Sequence, residues 1–77
     1  MSSNTADAII YTPKSMNDAQ FSEVARQVIS LDGVVRFSRN RHQPNMINIV
    51  YQAGKIQSLA ILNRISRLGF HASLVGM

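Results

Sequence analysis

The sequence contains no cysteine. Disulfides, thiolate zinc sites and thiol redox chemistry are therefore excluded together. Acidic residues are scarce as well. Four Asp and Glu stand against eight Lys and Arg, a formal net charge of +4. No apolar run approaches the roughly 18 residues a spanning helix needs, so no membrane insertion is expected. The N-terminal "MSSNTAD" lacks the basic-then-apolar order of a secretory signal. With the missing cysteines, that reading favours the cytoplasm.

The shortage of acids also argues against catalysis. Asp7 falls in the N-terminal stretch, Asp18 and Glu23 in the first turns of a helix, and Asp32 in a turn. Acids at a helix start are accounted for by the helix dipole. No paired carboxylates, Ser-His-Asp set or glycine-rich phosphate loop can be assembled, so the expectation is a protein that is not an enzyme.

What remains is an ordinary apolar content, 45% of 77 residues, enough for one small domain. Residues 1–7 are small and polar and read as a flexible tail, with a single domain over 8–77. "AIIYT" at 8–12 is rich in strand formers and stops at Pro13. Phe21, Val24, Ala25, Val28 and Ile29 recur at the helical period, with Ser15, Asn17 and Asp18 as candidate caps. Gly33 ends that helix. In "VVRFSR" at 34–39, Val35 and Phe37 alternate with Arg36 and Ser38, a half-buried strand. "NRHQPN" is a turn and "MINIVY" at 46–51 the partner strand. A second helix over 55–68 carries the stripe Ile61, Leu62, Ile65 and Leu68, and Gly69 closes it. Phe70, Ala72 and Leu74 then alternate as a last strand.

The order β-α-β-β-α-β predicts an α+β, ferredoxin-like βαββαβ sandwich: a four-stranded antiparallel sheet with two helices on one face. Chain direction then places three connections at one end: Lys14–Gln20, Arg39–Asn45, and the turn at Gly69, Phe70 and His71. Lys14, Arg39, Arg41 and His42 would add cationic groups to the positive end of the first helix. On the uncovered face of the sheet, Ile10, Val34, Val50 and Val75 are expected to gather, which opens a route to homo-oligomers.

"VARQVISLDGVV" at 24–35 and "AILNRISRLGFHA" at 60–72 resemble the heavy-metal-associated domain of small copper chaperones and metal-pumping ATPases. The resemblance runs over about residues 8–75. It implies a metal loop with the pattern M-x-C-x-x-C before the first helix. Here those two cysteine positions hold Asn17 and Gln20, and the methionine position falls near Ser15, beside Met16. Neutral amides are poor ligands for soft metals.

The resulting expectation is a small soluble binding or adaptor module of this fold without a thiolate metal site and with no cofactor. It would dock a protein partner through Lys14, Asn17, Gln20, Arg39, Arg41 and His42, or associate with itself. Two alternatives stand beside it. One is cysteine-independent binding of copper, zinc or nickel by Met16, His42 and His71, with Met46 nearby. The other is nucleic-acid or anion binding by the basic loops, with Phe37 as a stacking ring beside three arginines in "RFSRNRHQ".

Overall fold

Strand β1 (Thr5–Tyr11) leads into helix α1 (Asp18–Ile29), then β2 (Val34–Arg39), β3 (Met46–Gln52), helix α2 (Ser58–Arg67) and β4 (Ser73–Leu74). This is a computed structural model, and it describes residues 4–75. The strands lie in the order β2-β3-β1-β4, with every neighbouring pair antiparallel. Ile10, Ile47 and Ile49 from the sheet and Val24, Val28, Ile61 and Ile65 from the helices join one buried cluster. Both helices therefore sit on the same face of the sheet. Each such side chain contributes roughly 1.5–3 kcal/mol by leaving water, and α2 depends on this, because its N-cap Gln57 makes no side-chain capping bond.

The expected element order is present, and several local readings change. β1 begins at Thr5, so residues 5–7, read as tail, are ladder residues opposite Gln52, Tyr51 and Val50; residues 1–3 lie outside the described chain. With its full length, the strand shows its true phase. Ile10 is 0% exposed in the core, and Val34 packs against the same cluster, so both leave the outer face to which they were assigned. Val50 lies opposite Asp7 on the outer side and Val75 is exposed, as expected, joined there by Ile9 and Tyr11.

In β2 the pairing slips between Val34, opposite Tyr51, and Arg36, opposite Val50. This irregularity inserts Val35 as an extra residue, as a β-bulge does. Val35 is 55% exposed, whereas Phe37 still packs against the core. The first helix also ends its apolar stripe earlier than expected, since Ile29 is 44% exposed.

α2 starts at Ser58 because Lys55 and Ile56 turn back, both donating their backbone N–H to the Gln52 carbonyl. β4 is two residues long; Phe70 and Ala72 contact the core without joining the ladder.

Candidate functional site

Three connections meet at one end of the sandwich, as chain direction predicts. Asn45, at the close of the β2–β3 loop, holds the β1–α1 loop. Its side-chain amide donates to the carbonyls of Thr12 at 2.7 Å and Pro13 at 3.1 Å, and its Oδ1 accepts from the Ser15 hydroxyl at 3.0 Å. Its own carbonyl accepts from the Thr12 backbone N–H at 2.9 Å. The sequence marks Asn45 only as a turn residue after Pro44, because nothing local shows that its partners lie thirty or more residues away. Asn45→Ala removes the donors to two carbonyls. Unfolding in urea is expected to show a loss of about 2 kcal/mol. Asn45→Asp, which keeps the acceptor and loses the N–H donors, should lose nearly as much.

Asn17 is the N-cap of α1. Its Oδ1 accepts from the Gln20 backbone N–H at 2.7 Å, and the Gln20 Oε1 accepts from the Asn17 backbone N–H at 3.0 Å. This is a reciprocal capping box, which satisfies two of the free donors of the first turn. Both side-chain oxygens, at the two positions where the resemblance places cysteines, are thus engaged with backbone. Asp18 follows in the first turn, where its charge suits the helix dipole.

Arg39, expected as a docking cation, is turned inward. Its guanidinium carbon lies 4.3 Å from the centroid of the Phe21 ring. One Nη sits 3.7 Å from the Asp18 carboxylate, and the other points to the Asn17 carbonyl at 3.5 Å. Only 23% of its side chain is exposed. Phe21 and Phe37 stack at 5.2 Å, so Phe37 is part of the packing rather than a platform for bases.

Lys14, Arg41 and His42 remain exposed. Lys14 borders a pocket of about 350 Å³ with Pro13, Gly69, Phe70 and His71. His42 lies in the hairpin loop, where Asn40 Oδ1 accepts from the N–H groups of His42 and Gln43. A larger groove of about 530 Å³ runs along α2 past Ile56, Ala60, Arg64 and Arg67, away from these loops.

The soft-ligand candidates lie on different parts of the fold. Met16 is 5% exposed within the apolar core. His42 follows β2 and His71 precedes β4, and these are the two edges of the sheet. Three strand spacings, about 14 Å, separate those edges. Met46 sits on β3, half-buried. Among the described residues, no three His, Cys, Asp or Glu side chains group as metal ligands do.

Titration is perturbed elsewhere, on the exposed side of α1. The Glu23 carboxyl is held below its usual range, chiefly by the hydrogen bond from Arg26 and then by Gln27. A depressed carboxylate stabilises the fold above its unfolded pKa and loses that contribution as pH falls. The pair is solvent-exposed and its share is small.

No helix among the described residues is long and apolar enough to cross a membrane. No family model matches the sequence, and no curated relative matches it. Solved structures do match the fold. Oxidized MerP from Ralstonia metallidurans CH34 superposes with a TM-score of 0.79 at 13% identity, covering 92% of this chain and 97% of that one. A copper binding domain from HMA7, a P-type ATPase, gives 0.79 at 18% identity over 91% and 93%. The yeast copper transporter domain CCC2A, solved in apo and Cu(I)-loaded states, gives 0.78 at 17% identity over 90% and 93%. At these identities the likeness establishes the fold: that of the heavy-metal-associated domains which the two helical stretches of the sequence resemble.

Proposed function

We propose that this chain is a small cytoplasmic binding module. It has the heavy-metal-associated fold without a thiolate metal site, and it docks an acidic protein surface through the loop end. The observation that carries the reading is the capping box. Asn17 and Gln20 occupy the positions where the resemblance places two thiolates, and each side chain closes on the other's backbone. An exposed loop end tied by the Asn45 hydrogen bonds remains, with Lys14 and Arg41 as its outward cations. Such charges mainly accelerate and orient encounter with a partner of opposite sign.

The reading is tested with the double variant Lys14→Glu/Arg41→Glu, compared with the unmodified chain in affinity capture from the native host. A partner retained at low salt by the unmodified chain and lost by the variant is the expected result. Identical capture by both forms overturns the loop-end assignment. In parallel, Cu(I) titration against a competing chelator is expected to leave all the metal with the chelator. Stoichiometric transfer of Cu(I) to the unmodified chain overturns the loss of the metal site.

A further inference from the structure

Among the described residues, nothing covers the face of the sheet opposite the helices. Its outward residues form cross-strand rows. Arg36, Val50 and Asp7 stand side by side on β2, β3 and β1. Ser38, Asn48 and Ile9 form the next row. The Val75 N–H donates to the Ile9 carbonyl at 2.9 Å, which carries that row toward the β4 edge. Ile9 and Val75 are each 41% exposed and Tyr11 38%, large apolar side chains left in water on one surface.

The charges on this surface have a particular arrangement. Asp7 and Arg36 flank Val50 on either side, one strand spacing away in each direction, so about 10 Å separates their backbones. Neither has an ion-pair partner among the described residues. A two-fold axis lying along β3 in the plane of the face exchanges these two positions. Two copies stacked about that axis bring Arg36 of each copy over Asp7 of the other. Val50 then meets Val50, and Asn48 meets Asn48. An isologous interface requires this kind of self-complementarity, with each charge meeting its opposite after the rotation.

We propose that the outer sheet face closes on a second copy of this chain, with β3 at the two-fold and two Asp7–Arg36 pairs between the copies. Aligned sheets pack about 10 Å apart, a gap that one Arg and one Asp side chain span. With β3 at the two-fold, β2, β3 and β1 overlap and β4 lies outside, so the footprint is about 14 by 20 Å from strand spacing and rise. Counted over both copies that is roughly 600 Å², below the size of standard stable interfaces, so the dimer is weak and exchanging. The inference does not draw on the loop end, and neither Lys14 nor Arg41 takes part.

Sedimentation velocity on the full chain, from low-micromolar to millimolar concentration, is expected to show monomer giving way to dimer. Asp7→Arg and Arg36→Asp each replace two attractive pairs with two repulsive ones. Each should weaken the dimer about tenfold at low salt, with circular dichroism reporting the fold unchanged. Asp7→Arg/Arg36→Asp in one chain restores attraction and should restore dimerisation. A monomer at millimolar concentration, a dimer indifferent to the single reversals, or a folded double variant that stays monomeric overturns the proposal. A second measurement needs no substitution. Amide shifts of the unmodified chain should move with concentration at Ile9, Asn48 and Val50, and movement confined to α1 and α2 overturns it equally.

Discussion

Gly33→Ala is expected to destabilise the protein by about 3 kcal/mol. Gly33 turns the chain from α1 into β2 with φ of +102°, a conformation that side chains resist. Space is short as well. A Cβ there would lie 2.9 Å from the Lys55 Cβ and 3.0 Å from the Ile56 Cγ2. The Gly33 carbonyl also accepts from the Gln52 N–H at 2.7 Å, so the turn cannot drift away from the β3–α2 connection without losing that bond. Strain and overpacking therefore act together at one site.

Gly69 separates the two effects. It has nearly the same φ, +99°, with nothing within 4 Å of an added Cβ. Gly69→Ala should cost only the conformational part, about 1–2 kcal/mol. Denaturant unfolding of both variants checks this. Equal losses at the two glycines would mean that the contact with Lys55 and Ile56 relaxes freely, and the overpacking argument fails. A domain of this size has only about 4–11 kcal/mol in total. Gly33→Ala should accordingly lower the melting temperature by about 15 °C.

The turns and periods were legible in the sequence because each rests on local chemistry. The stripes Phe21-Val24-Val28 and Ile61-Ile65 name the buried faces of both helices. Gly33 and Gly69 mark the two positive-φ turns. From the element order alone, the meeting of the three loops followed. The phase of β1 was not legible. "AIIYT" is too short to show that alternation begins at Thr5, and a slip of one residue exchanges the two faces of a strand. That is why the sequence places Ile10 outward and gives no sign of Ile9 and Tyr11 on that face. The bulge at Val35 left no mark either, since a bulged strand has the same composition as a regular one. At the loop end, Asn17-x-x-Gln20 is readable as a capping box. The inward turn of Arg39 depends on Phe21, a contact between elements that local spacing does not encode.

Asn17→Cys/Gln20→Cys is expected to confer Cu(I) binding that the unmodified chain is expected to lack. The side chains at these positions already face each other across the first turn, within 2.7 and 3.0 Å of each other's backbone nitrogens. Two thiolates placed there are soft ligands at the spacing that Cu(I) accepts. The helix N-terminus favours the thiolate form by its partial positive charge. Without metal, the variant loses both halves of the capping box and should be about 1–2 kcal/mol less stable than the unmodified chain. With Cu(I) in excess the order reverses, because a ligand that binds only the folded state adds stability in proportion to the logarithm of its concentration over the dissociation constant. Melting curves with and without Cu(I), under reducing anaerobic conditions, read both effects. Each single variant offers one thiolate and should gain far less than the pair. If the double variant folds yet competes for Cu(I) no better than the unmodified chain, then Asn17 and Gln20 are not what separates this domain from a metal-binding one. The surrounding loop, held by Asn45 on one side and Arg39 on the other, would then be shaped for something other than a metal.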